Sequence, residues 1–190
     1  PIEIGQAADA LEVGDDQVAL GIDVGADVVR NLTGCVAQAD PLVKGRRPEP
    51  GGAALLVHLG RPPEPHVMPL ARIVAHATHS QAPEWFTPAP VGAIEGVLKK
   101  AGWTVADVDL FEVNEAFAVV AMAPMRELGV PHAKLNVHGG ACALGHPIGA
   151  SGARLVVTLL HALAKHGGKR GVATLCIGGG EATALAVELA

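Results

Sequence analysis

From Gly51 to the last residue of this 190-residue chain, short apolar runs alternate with segments of helical period, and glycine or proline marks the junctions. That alternation restricts the chain to layered architectures in which helices cover a largely buried sheet. Runs at 53–57, 70–77, 108–113, 172–177 and 183–189 predict strands. Within 91–101, Val91, Ile94, Val97 and Leu98 share one face, Lys99 and Lys100 fall near the end and Gly102 follows, which predicts a helix with a favourable C-terminus. A second helix is expected after Asn114-Glu115-Ala116-Phe117, running to about residue 128, with Pro124 bending it and Gly129 stopping it. A third, at 152–165 behind Ser151, packs Leu155, Val156, Leu159, Leu160 and Leu163 inward. The last two strands flank Gly178-Gly179-Gly180 and suggest a terminal antiparallel hairpin. The fold class that follows is α/β with a mixed sheet. Arg61-Pro62-Pro63-Glu64-Pro65 cannot lie inside a helix, so 61–69 is expected to be an irregular loop.

Residues 1–50 read differently. They mix short apolar pieces with 9 acidic and 4 basic side chains, and Lys44 to Pro50 reads as a linker. We therefore expect an unassigned acidic segment at 1–50 and a domain at 51–190. The remaining charges balance, and aromatic residues reach only 3% with no Tyr, so neither a basic face nor a base-stacking surface for nucleic acid is expected. The longest apolar stretches are interrupted by Glu115, Arg154 and Glu181, which excludes a helical membrane span. No basic and apolar leader pattern is present, and cytoplasm is the expected compartment. Three cysteines, Cys35, Cys142 and Cys176, are too few for a disulfide framework.

Three segments carry reactive side chains beside glycine at strand ends or helix starts, where open α/β sheets expose their working groups. His146, between Gly145 and Pro147 and just ahead of a helix N-terminus, suits a base or an oxyanion donor. Cys176 ends an apolar strand before three glycines that permit close approach of a ligand, and a neighbouring imidazole can bring such a thiol toward neutrality. Cys142, among Ala141, Ala143 and Leu144, reads as a small buried hydrophobe, and Glu115 and Glu181 read as solvated or cap-forming. For His138, a hydrogen bond that stabilises the loop stands beside a functional role. His138, Cys142 and His146 fall at i, i+4 and i+8, but the intervening glycines and Pro147 oppose the helix that would align them on a metal, and no metal is expected.

Together Asn114-Glu115-Ala116-Phe117, the string from Asn136 to Arg154 and Cys176-Ile177-Gly178-Gly179-Gly180 resemble the C-terminal half of thiolases. The resemblance covers about residue 70 to the end and implies a thiolase-like α-β-α domain. It also implies acyl transfer between CoA thioesters in fatty-acid metabolism, by thiolysis of 3-ketoacyl-CoA or Claisen condensation, with CoA as substrate and no further cofactor. Residue by residue it makes His146 the base toward the acyl-accepting cysteine and a donor to a thioester oxygen. Cys176 becomes the acid/base at the α-carbon, Asn114 the holder of a water in one oxyanion hole, and the Gly178 N–H a donor in the second. Phe117 matches an aromatic beside the acyl pocket. The family's nucleophilic context, Cys-Gly-Ser-Gly or Cys-Ala-Ser-Gly, does not occur in the chain, and Cys35 has only passing similarity to it. Arg46 to Gly52 stands where the family has a CoA-positioning stretch. The expectation is therefore an incomplete thiolase that pairs with a complementary half or forms a homo-oligomer, or else a noncatalytic thiolase-like binding domain.

Overall fold

The structure, a computed structural model, describes residues 21–23, 56–58 and 69–190, with the side chains of residues 70–190. Its strands are β1 (Gly21–Asp23), β2 (Leu56–His58), β3 (Pro69–Ser80), β4 (Leu110–Val113), β5 (Arg170–Ile177) and β6 (Glu181–Leu189). Its helices are α1 (Ala89–Ala101), α2 (Ala118–Glu127), the single turn α3 (Ala141–Leu144) and α4 (Ser151–His166). Cys35, the stretch 44–52 and, of the loop expected at 61–69, residues 61–68 lie outside the described residues, while Pro69 opens β3. Of the strand expected at 53–57, Leu56–His58 is described.

The strands form one sheet in the order β2-β1-β3-β6-β5-β4. The expected terminal hairpin is present, β5 and β6 pairing antiparallel from Ile177↔Glu181 to Arg170↔Glu188. β6 also pairs antiparallel with β3, while β4 runs parallel to β5 and β1 runs parallel to both β2 and β3. The sheet is thus mixed, and the last strand in sequence is near its centre. Gly21–Asp23, inside the segment that the sequence left unassigned, adds a strand to it.

Period-two alternation divides the core between two faces. Phe111, Val113, Val172, Ala182, Ala184 and Ala186 pack with Ala93, Ile94 and Val97 of α1 and Val120 of α2. Leu110, Ala173, Leu185 and Val187 pack with Leu155, Val156, Leu159 and Leu163 of α4. Leu155, Leu159 and Leu163 are at most 1% exposed, and such burial stabilises by roughly 2 kcal/mol per side chain. α4 lies close because Gly171 has no side chain, a Cβ there falling 2.8 Å from a methyl of Leu159. Pro124 lies inside α2 as expected, leaving Val120 without a donor one turn on. No helix among the described residues is long and apolar enough to cross a membrane.

Candidate active site

β4 fixes the site. All four of its residues are buried, and the chain continues past Val113 into Asn114, whose N–H donates to Thr174 O on β5 at 2.9 Å. Asn114 is fully buried. Asn136 clamps this corner from the outer edge: its Oδ1 accepts from Val113 N at 2.8 Å, and its Nδ2 donates to Val113 O at 2.9 Å and to Glu115 Oε1 at 2.8 Å. The side chain therefore imitates a strand beside β4. Its backbone takes φ of 47°, in the left-handed region that Asn tolerates.

The Glu115 carboxylate continues the scaffold by accepting from Cys142 N at 2.9 Å, capping the one-turn helix α3. A Cβ on Gly140 would collide with that carboxylate, so only glycine admits the contact. Burial works to raise the Glu115 carboxyl, but the hydrogen bonds from Cys142 and Asn136 outweigh it and hold it below its ordinary value. The cap-forming reading of Glu115 agrees with this. Cys142 differs from expectation: it is exposed, because α3 is an isolated turn on the surface, and its bond to Glu115 pushes the thiol up. Glu181 differs as well, being half-buried with Oε2 lacking a partner. As for the spacing of His138, Cys142 and His146, α3 ends at Leu144 and does not continue to align them. Among the described residues no three His, Cys, Asp or Glu side chains gather as metal ligands. His138 instead meets His166, Nε2 to Nε2 at 3.3 Å.

His146 is held at both ring nitrogens. Nδ1 lies 2.6 Å from Ser151 Oγ, and that hydroxyl donates its own proton to Pro147 O at 3.0 Å. Ser151 therefore accepts from Nδ1–H, and when the imidazole is neutral Nε2 is left as its acceptor. Asn114 Nδ2 lies 3.2 Å from Nε2 and donates to it, while Asn114 Oδ1 accepts from Arg154 Nη2 at 3.4 Å. His146 and Asn114, thirty-two positions apart, are thus in direct contact.

Cys176 closes β5 at the same end of the sheet. It packs half-buried against the α1 and α2 face, whereas the Asn114 amide turns toward α4. No hydrogen bond among the described residues joins Cys176 to His146 or Asn114. Burial pushes its thiol up, against a smaller pull from its own backbone, so the imidazole does not draw it toward neutrality here. Gly178 follows on the exposed turn, with open space where a Cβ would be. Phe117 is 60% exposed, its ring edge-on to Phe86 at 6.1 Å between centroids.

Glu112 and Arg154 have no role in the expectations from sequence, yet they meet behind this site. Glu112 is 1% exposed on the α4 face of β4, its Oε2 3.8 Å from Arg154 Nη1, and neither carboxylate oxygen has a hydrogen-bond partner among the described residues. Burial pushes it up to about 7, opposed by Arg154 and assisted by the negative charge of Glu115. The available signal was an acid between Phe111 and Val113 in an otherwise apolar run.

The profile of the thiolase C-terminal domain matches residues 67–189. The chain belongs to the thiolase family. This thiolase domain is 54% identical over 120 residues to the cytosolic acetyl-CoA acetyltransferase of Mus musculus, covering 63% of the chain and 30% of that protein. It is 52% identical over 136 residues to the acetyl-CoA acetyltransferase of Chromobacterium violaceum, covering 72% of the chain and 35% of that protein. Among solved structures, human mitochondrial 3-ketoacyl-CoA thiolase superposes with a TM-score of 0.63 at 47% identity, covering 65% of the chain and 31% of that protein. The same human thiolase is also known in complex with CoA. The chain spans about a third of the length of these relatives.

Proposed function

We propose that this thiolase domain performs acyl transfer on CoA thioesters, by thiolysis of 3-ketoacyl-CoA or the reverse condensation, together with a half that carries the nucleophilic cysteine. The observation that supports it most is His146 held between Ser151 Oγ at Nδ1 and Asn114 Nδ2 at Nε2, which in the neutral ring turns the Nε2 lone pair to Asn114 Nδ2–H. Such a nitrogen accepts a proton from a thiol. Once protonated it becomes a donor facing a second donor, and the two are relieved only by an oxygen placed between them. That is the electrostatic requirement of a thioester oxyanion, and losing one such donor typically costs about 10² to 10³ in rate. In this reading Asn114 acts there directly or through a water, and Gly178 N–H serves the second oxyanion.

Cys176, kept protonated by burial, suits return of a proton to the α-carbon. Removing that proton requires the thiol to ionise, and the resting geometry gives it no partner for this. The complementary half and the bound thioester are therefore assigned the task of bringing His146 and Cys176 onto one substrate. Exposed Phe117, Val119, Met122, Leu144 and Ile148 give that half an apolar surface to cover, and Phe117 a place beside the acyl chain. Residues 70–190 supply the donors and the base without a further cofactor. A cytosolic setting is supported by the name of the Mus musculus relative.

The test is co-expression with the N-terminal half of an acetyl-CoA acetyltransferase, followed by assay of acetoacetyl-CoA thiolysis. Activity that falls at least about 10²-fold in His146→Ala is expected. A complex without activity, or with activity indifferent to that substitution, removes the catalytic reading and leaves a binding domain.

A further inference from the structure

Two buried charged side chains stand behind the imidazole, and the acyl-transfer reading gives neither of them a task. Glu112 rises from β4 under α4, and Arg154 descends from the first turn of α4 to meet it. Arg154 is 17% exposed at its side chain and Glu112 1%, and among their polar atoms both Glu112 oxygens and Arg154 Nε and Nη1 lack a hydrogen bond. Of the guanidinium nitrogens, Arg154 Nη2 has the Asn114 side-chain oxygen at 3.4 Å. The guanidinium is a planar fork, so one prong can face a carboxylate while the other faces a neighbouring acceptor.

We propose that Arg154, held in place by Glu112, is a positioning residue for His146. It acts through the Asn114 carboxamide. A primary amide presents a donor and an acceptor that differ little in shape, so packing alone does not decide which end meets Nε2. Arg154 has no acceptor, and it therefore takes Oδ1 and turns Nδ2–H toward His146. With the amide reversed, Oδ1 would face Nε2 and favour the Nε2–H tautomer, which cannot accept a proton at that atom. The fork thus keeps the lone pair on the nitrogen that faces the reacting groups. A point charge would not do this, since an ammonium satisfying Glu112 has no second prong in a fixed plane for Asn114.

The inference rests on reading His146 Nε2 as the base, but its test needs no acyl transfer. Long-range proton–nitrogen NMR on the full chain, labelled at histidine nitrogen and run at about pH 8 to favour neutral rings, reports the tautomer of His146. The His146 signals are assigned by their loss in His146→Gln. The wild-type chain is expected to show the Nδ1–H form. Arg154→Lys, which keeps the charge opposite Glu112, is expected to move the tautomer ratio about fivefold toward Nε2–H, the effect of one net hydrogen bond. The other histidine signals should remain in place. If Arg154→Lys does not fold, the neutral pair Glu112→Gln with Arg154→Met, which leaves no lone charge buried, is expected to give the same shift. An unchanged Nδ1–H tautomer in a folded variant, or an Nε2–H tautomer in the wild type, overturns the proposal. Loss of thiolysis in His146→Ala alongside an unchanged tautomer would overturn this inference and leave the acyl-transfer reading standing.

Discussion

The two ends of β4 are built from similar side chains to opposite effect. At its start, Asp109 accepts from the backbone N–H groups of Lys169 and Arg170 at 2.8 and 2.9 Å, and beyond it Arg170 and Arg72 share Glu188 at 3.2 and 2.8 Å. Every carboxylate there is matched and open to water. At its end, both Glu112 oxygens lack a hydrogen-bond partner among the described residues, Asn114 is stretched between a guanidinium and an imidazole, and the Cys176 thiol is half-buried on the opposite face. Hydrogen bonds from backbone amides hold the Asp109 carboxyl below its ordinary value, while burial holds Glu112 above its own. The difference separates an end that joins strands from one that stores unsatisfied polarity beside the proposed base.

The comparison breaks most readily at Glu112. Its folded-state value of about 7 lies above the unfolded value near 4.5, so the folded chain holds the extra proton between them. The favourable contribution is complete below the unfolded value and disappears as pH rises through about 7. Denaturant unfolding from pH 4 to 8 should show the wild type losing roughly 3 kcal/mol relative to Glu112→Gln, the free energy of the cited shift. Parallel curves would mean that Glu112 is well solvated.

A smaller effect of opposite sign is expected at the joining end. The Asp109 value is depressed, so its contribution is present above the ordinary carboxylate range and lost as pH falls through the folded value. Asp109→Ala should cost about 1 kcal/mol at neutral pH, the typical loss of a side-chain cap on backbone amides, and almost nothing in strong acid. Equal stability of the two proteins at neutral pH would deny that this end is satisfied by Asp109. Smallest of all is Arg72→Ala, on an exposed pair worth below about 1 kcal/mol and diminished further by salt, as thermal unfolding at two ionic strengths would read.

These contrasts also explain what the sequence conveyed. Apolar runs and helical periods located β3 to β6, α1, α2 and α4 within a few residues, because burial on one or two faces leaves a period in the chain. They do not reveal that β6 lies between β3 and β5, since strand order depends on pairing between distant segments. His146 and Asn114 stood out by the glycine, proline and motif context around them, and folding brings the two side chains into contact. Glu112 and Arg154 were not legible as a pair, because only folding brings a strand acid under the first turn of a helix forty-two positions on. Cys142 misled because small apolar neighbours imply burial only where the surrounding turn is packed, and α3 is a surface turn.

The account depends most on the imidazole and the thiol acting on one thioester from the two faces of the sheet. Exchange of the α-protons of acetyl-CoA in heavy water, followed by NMR with the chain assembled on a nucleophile-bearing half, reads this most directly. The account predicts exchange by the wild-type assembly that falls at least about 10²-fold in both His146→Ala and Cys176→Ala. Exchange that persists undiminished in either variant would contradict it.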